Sequence, residues 1–218
     1  IIEGNLNSTW YSLDGGLTNI SFFGLSGTID ENEWESQTDG GLYLNIYAND
    51  TLGNLGYAEV FIMKDSTIPL IKILSPNQYQ LFGRDAIAFN VSITSSTIDK
   101  RWYSLNGGMK YFFSGLNGTI DQNAWDVVGN GSLLLKFYVN NSAGTMNFDE
   151  VTILKDELAP IISILSPTEN QIFGSSIFDF SLAITEGNLN STWYSLDGGL
   201  TNYLFVGLSG TIDQIAWD

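Results

Sequence analysis

The sequence predicts an all-β chain of two-sheet sandwiches in tandem, about 91 residues per repeat. Three observations carry this: an internal repeat, apolar residues recurring at every second position, and turn signals spaced about 8 to 12 residues apart. The string EGNLNSTWYSLDGGLTN fills residues 3–19 and returns unchanged at 186–202, and a diverged version, TIDKRWYSLNGGMKYF, fills 97–112. Trp10, Trp102 and Trp193 are therefore 92 and 91 residues apart. The other landmarks keep that step. GLSGTID at 24–30 becomes GLNGTID at 115–121 and GLSGTID at 207–213, followed by Trp34, Trp125 and Trp217. LYLNIYANDTLGN at 42–54 matches LLLKFYVNNSAGT at 133–145, Lys64-Asp65 matches Lys155-Asp156, and Pro69, Ser75-Pro76 and Phe82-Gly83 match Pro160, Ser166-Pro167 and Phe173-Gly174. Only the stretch before GLxGTID changes length, seven residues from Leu17 to Phe23 against six from Met109 to Ser114, which is a loop or bulge adjustment.

Within the copy at 67–157, Ile71 and Ile73 open the first strand. Phe89, Val91 and Ile93 alternate with Asn90, Ser92 and Thr94, as Phe178, Phe180, Leu182 and Ile184 do in the next copy, so one face is buried. Short strands follow around Trp102–Leu105 and Lys110–Phe113. They are joined by Asn106-Gly107-Gly108, and in the first copy by Asp14-Gly15-Gly16, which supply the positive φ that tight hairpins need. The one helical candidate is Ile120–Val128, with Asp121 capping a single turn and Trp125 closing the open end of the sandwich. Leu133, Leu135, Phe137 and Val139 form the next inward set, and Val151 and Ile153 the last, after the SAGT turn. The copy thus holds about seven strands.

Composition agrees with a packed array. Hydrophobic residues make up 44% of the chain and charged residues 15%, enough apolar surface for a core in each repeat without a metal or disulfide staple. Eight basic against 24 acidic residues give a formal charge of −16, which repels nucleic acid and anionic lipid. No apolar run approaches the roughly 20 residues of a bilayer span. Histidine and cysteine are both absent, removing the commonest general base, the commonest metal ligand and the thiol nucleophile; no enzyme is expected. The glycines sit in hairpins with no helix after them, so no phosphate loop is expected either. The repeat boundaries fall at 1–66, the C-terminal part of one repeat, 67–157, a complete repeat, and 158–218, the N-terminal part of a third. Since Ile1 aligns with Ile184, the expectation is a window on a longer repetitive polypeptide, with strand exchange between chains as the alternative.

The Pro-x-Ile-x-Ile-x-Ser-Pro opening (Pro160–Pro167), the Trp-Tyr-Ser-Leu-Asp/Asn-Gly-Gly hairpin and the Tyr-Ala-Asn-Asp-x-x-Gly-Asn turn (Tyr47–Asn54) resemble the immunoglobulin-like repeats found in series in long secreted surface proteins of archaea and bacteria. The resemblance covers the whole chain. It implies an extracellular, cell-surface sandwich acting as part of a fibre, stalk or surface layer, with other copies of itself as partners, and it implies no catalytic residues. A cell-surface adhesin touching cells or glycans through its loops is the runner-up, and an accessory region of a secreted enzyme the third reading.

Asn-x-Ser/Thr sequons stand at Asn7, Asn19, Asn49, Asn90, Asn117, Asn130, Asn140 and Asn190. With 20 asparagines and 38 serines plus threonines in 218 residues, random placement gives 20 × 38/218, about 3.5, so eight points to glycosylation. The bland reading is that these are common polar choices for turns and strand faces. Acidic residues gather where repeats join, at Asp65 and at Asp156-Glu157, where calcium would stiffen the hinge. Against it, no Asp-x-Asp-x-Asp spacing appears. Trp10, Trp102 and Trp193 are expected in core or sheet packing more than in a sugar-stacking platform, and Tyr43, Tyr47 and Tyr138 on the outward face, where one sandwich would meet another.

Overall fold

The computed structural model describes residues 4–217; Ile1, Ile2, Glu3 and Asp218, the outermost residues of the two partial repeats, lie outside the described residues. The chain forms two compact units, up to Asp156 and from Glu157 onward.

The first unit opens with β1 (Leu6–Ser12), β2 (Ile20–Phe22), the one-turn helix α1 (Glu31–Ser36), β3 (Gly40–Asp50) and β4 (Leu55–Lys64), which make an antiparallel sheet in the order β2-β1-β3-β4. It continues into the complete repeat: β5 (Leu70–Ser75), β6 (Leu81–Phe82), β7 (Ala88–Thr94), β8 (Ile98–Leu105), β9 (Tyr111–Phe112), β10 (Asn117–Thr119), helix α2 (Gln122–Val127), β11 (Gly131–Asn141) and β12 (Met146–Lys155). One sheet runs β10-β7-β5 and the other β6-β12-β11-β8-β9. Eight strands stand where the sequence suggested about seven. The strands that the sequence reading did not place are the two-residue β6, which pairs parallel with the end of β12, and the three-residue β10, which pairs with β7; both are too short to leave a periodic signal.

The core lies between those two sheets. Phe89 and Val91 of β7 meet Leu133, Leu135, Phe137 and Val139 of β11 and Val151 and Ile153 of β12, with Ile71, Tyr103, Leu105, Ile120 and Trp125 around them. The period-two reading placed Ile71, Phe89, Val91, Leu133, Leu135, Phe137, Val139, Val151 and Ile153 on the buried face, and Tyr103 and Leu105 join them. The two glycines of GLxGTID do different jobs. Gly24, Gly115 and Gly207 have positive φ, which a turn there demands, whereas Gly118 and Gly210 make room for a ring: a Cβ on either would sit 2.8 Å from Phe89 or Phe180.

The length change before the motif falls in the hairpin loop. Tyr11 pairs with Ile20 and Tyr194 with Tyr203, nine positions on, while Tyr103 pairs with Tyr111, eight positions on. In the longer loops Ser12 and Ser195 bond Asp14 and Asp197 and accept the N–H of Gly16 and Gly199. The shorter loop turns instead on Asn106 at φ 49°, its carboxamide oxygen accepting the Leu134 N–H, and the buried Ser104 hydroxyl has no partner among the described residues.

The second unit contains β13 (Ile161–Ser166), β14 (Asp179–Thr185), β15 (Thr192–Tyr194), β16 (Tyr203–Phe205), β17 (Ser209–Thr211) and the short helix α3 (Gln214–Trp217). Its sheets are β13-β14-β17 and β15-β16, and Ser75-Pro76 and Ser166-Pro167 are cis in the two openings.

Candidate functional site: the sandwich end, the repeat joint and the outer face

Each repeat closes one end of its sandwich with the same set of side chains. The Asp before the helix caps it, Asp30 accepting from the Glu33 N–H and Asp121 from the Ala124 N–H at 2.9 Å. That same Asp donates its own backbone N–H to the tyrosine of the Trp-Tyr-Ser-Leu strand: Asp30 to Tyr11 at 2.6 Å, Asp121 to Tyr103 at 2.7 Å, Asp213 to Tyr194 at 2.7 Å. Burial pushes the Tyr103 phenol above its ordinary pKa, against the opposing pull of the Asp121 N–H. Trp125 is fully buried, donates its indole N–H to Gly83 O at 3.1 Å and meets Phe82 edge-on at 6.3 Å; Trp217 repeats this on Gly174 and Phe173. The plug expected from Trp125 is present, and it accounts for the Phe-Gly landmark.

A lysine locks the plug from behind. Lys155, 2% exposed, donates from Nζ to Trp125 O at 2.7 Å and Val128 O at 3.0 Å, with the ammonium 5.1 Å from the Trp125 ring centre. Lys64 does the same in the first repeat, reaching Trp34 O, Glu35 O and Gln37 O. These carbonyls are the orphan acceptors at a helix C-terminus, where a cation also meets the negative end of the helix dipole. The role was missed from sequence, although a signal existed: Val151, Ile153 and Lys155 occupy one inward-facing register, so the lysine stands where an apolar residue is expected.

The next residue ties two repeats together. Asp65 accepts from the Thr67 N–H and hydroxyl through Oδ1, and from the Thr97 hydroxyl and Asn141 Nδ2 through Oδ2. Asn141 Nδ2 also donates to Thr67 O at 2.9 Å. These bonds hold the Asp65 carboxyl below the usual carboxylate range, the Thr67 hydroxyl contributing most and Thr97 next. A group with a lowered folded-state pKa gives stability that is present above its unfolded value, near 3.9, and lost as pH falls through the folded value. Asp14, Asp197 and Asp50 are lowered in the same sense, the first two chiefly by the Ser12 and Ser195 hydroxyls and Asp50 by the Asn54 side chain. Urea unfolding followed against pH is therefore expected to give constant stability down to about pH 5 and a fall below about pH 4, with a shallower fall in Asp65→Asn. A rise in stability over that range contradicts the assignment.

Calcium is the ion expected at Asp65, Asp156 and Glu157, and at Asp65 the carboxylate is committed to protein donors. Both Asp65 oxygens face donors, including an amide N–H₂, whereas calcium needs several oxygens converging on one point. Asp156 holds the equivalent position one repeat later and donates its N–H to Phe82 O. Among the described residues no group of three or more carboxylates stands together.

The outer face of the large sheet shows which packing the tryptophans make. Tyr11 and Tyr103 point into the core, and the tryptophans beside them lie on the opposite face in a row across the strands. Phe112, Trp102, Tyr138 and Phe148 are successive cross-strand partners. Trp102 and Tyr138 stack at 5.2 Å with an interplanar angle of 8°, and Lys110 and Lys136 sit over the Trp102 and Phe148 rings. Trp10, Tyr47 and Tyr57 make the same row in the first repeat, with Trp10 on Tyr47 at 5.6 Å and 9°. Trp193 pairs with Leu204 and is 55% exposed. Because Trp102 faces Tyr138 and Trp10 faces Tyr47, these rings staple strands together, while Phe112, Phe148, Tyr57 and Trp193 at the row ends stay exposed. Tyr43 lies exposed on this outer side against Phe61.

The sequon asparagines divide into two kinds. Asn49 and Asn140, expected in turns, lie near the ends of β3 and β11 opposite bulges, where their Oδ1 atoms accept the N–H of Ser8 and Lys100. Asn7, Asn19, Asn90, Asn117, Asn130 and Asn190 are exposed, and Asn90 and Asn117 are direct cross-strand partners. Among the described residues no helix is long and apolar enough to cross a membrane.

No family model matches the chain, and no curated protein does. Among solved structures it is similar to fibronectin(III)-like modules of Clostridium thermocellum CbhA, at 13% identity over 72% of this chain and 82% of that one, with a TM-score of 0.43. It is also similar to a 1.5-MDa bacterial ice-binding adhesin, at 14% identity over 85% of this chain and 66% of that one, with a TM-score of 0.36. A third is a tetra-tandem repeat in the extending region of a large adhesion protein, at 13% identity over 97% of this chain and 58% of that one, with a TM-score of 0.36.

Proposed function

We propose that this chain is a non-catalytic spacer, a run of immunoglobulin-like sandwiches that serves an extracellular fibre, stalk or surface layer through its length. The observation that carries the reading is the rebuilding of one structural kit in successive repeats. The tyrosine-to-Asp bond recurs in all three, the tryptophan plug bonded to glycine in the last two, and the lysine clamp in the first two. Repeats that preserve their supports and also their exposed loops, LDGGLTN and GLSGTID, favour a part used in number over one that evolves a different contact in each copy. The surplus of sequons and the charge of −16 support an extracellular, solvated and glycosylated surface, with other copies of itself as the partners.

The adhesin reading draws less support, because the aromatic rows are stacked internally. Electron micrographs of the native material are expected to show filaments or a lattice with an axial repeat of about 30–36 Å, the length of strands of nine to eleven residues. Separate particles that bind glycan arrays tightly would favour the adhesin.

A further inference from the structure

We propose that the joint between the first and second repeats is a locked hinge, and that the carboxamide of Asn141 is its key. This deepens the spacer reading and rests on it. Successive linker positions are tied alternately to the repeat behind and the repeat ahead. Lys64 is anchored back to the end of α1. Asp65 is bonded forward to Thr97 and Asn141. Ser66 is bonded back, its N–H and hydroxyl both reaching the Asp39 carboxylate at 2.9 and 2.8 Å. Thr67 O is bonded forward to Asn141, and Pro69 is fully buried with its φ fixed by the ring. Of these residues only Ile68 lacks a tie, so rotation at the joint breaks bonds to one repeat or the other.

Comparing the two copies identifies the key. Position 141 corresponds to Asp50 in the first repeat. There the carboxylate is consumed by its own turn, accepting from the Leu52 and Asn54 N–H groups and the Asn54 side chain. Asn141, 1% exposed, fulfils the same turn duty with Oδ1, accepting the Thr145 N–H at 2.8 Å. That leaves Nδ2 free to donate to Thr67 O, at the start of its own repeat, and across the joint to Asp65. A carboxylate at 141 keeps the turn, loses both donations, and faces the Asp65 carboxylate at hydrogen-bond distance. Asn at this position therefore marks a repeat that locks onto an aspartate-bearing linker, and Asp removes the lock.

The chain has no cysteine, so spin labels are placed cleanly at Leu17→Cys and Val127→Cys, exposed positions in the first and second repeats. Pulsed electron–electron spin resonance is expected to give one narrow distance distribution in the parent. In Asn141→Asp and in Thr97→Val it is expected to broaden about twofold or more, since packed modules without fixed contacts move relative to each other by default. Asp50→Asn is expected to leave the distribution unchanged. Thr97→Val perturbs no turn, so it carries the test where Asn141→Asp also destabilises the repeat. A parent distribution that is already broad, or one that stays narrow in both joint variants, overturns the lock. Neither result touches the spacer reading, which fails on micrographs without filaments or lattice.

Discussion

Trp125→Ala is expected to destabilise the complete repeat by about 3–5 kcal/mol in urea unfolding, the range for deleting a fully buried large aromatic. The side chain is 0% exposed and closes the sandwich end, touching Phe82 edge-on and bonding Gly83 O at 3.1 Å. Its removal leaves a cavity beneath a one-turn helix, and six residues of α2 have little helical stability of their own to hold the lid in place. The helix cap at Asp121 and the Asp121 N–H bond to Tyr103 then loosen together. A domain with a total stability of roughly 5–15 kcal/mol is brought close to its threshold by such a loss. Trp125→Phe keeps much of the volume and loses the indole bond, so a cost of about 1–2 kcal/mol is expected. A loss under about 1 kcal/mol in Trp125→Ala would show that the plug is not part of the cooperative core.

Lys155→Met is expected to cost about 2–4 kcal/mol, and here two effects compete. Burying an ammonium is expensive, and methionine relieves that penalty with a side chain of similar length. Against this, Trp125 O and Val128 O lose their donor at a buried helix end, each worth about 1–3 kcal/mol when left unpaired. The helix dipole and the indole ring add to the ammonium's side, so the clamp is expected to win. Equal or higher stability in Lys155→Met, measured by the same urea titration, would mean that desolvation dominates and the lysine is retained for another reason.

Much of the fold was legible because β-sandwich burial writes itself into alternation. Phe89, Val91, Leu133, Leu135, Phe137, Val139 and Ile153 are inward by period and inward in fact. Asp121 and Trp125 were readable because a cap and a large apolar residue near a single turn have few other uses. The tryptophans of the Trp-Tyr-Ser-Leu strands were harder. Both faces of the large sheet carry aromatics, so period two gives two classes of residue without saying which faces the core, and both Trp102 and Tyr103 are buried. The joint was hidden for a different reason. Asp65, Thr97 and Asn141 are far apart in sequence and individually ordinary polar residues, and Asp65 in the linker reads equally as metal ligand and as hydrogen-bond acceptor. Only the donors around it decide.

If sandwiches threaded in series work by number and reach, extra copies of residues 67–157 inserted in register lengthen the chain in equal steps. Small-angle X-ray scattering of chains with one, two and three inserted copies is expected to show the maximum dimension growing linearly, by about 30–36 Å per copy, with unchanged unfolding of each repeat. Growth with only the cube root of mass, as for a single enlarging globule, would contradict it.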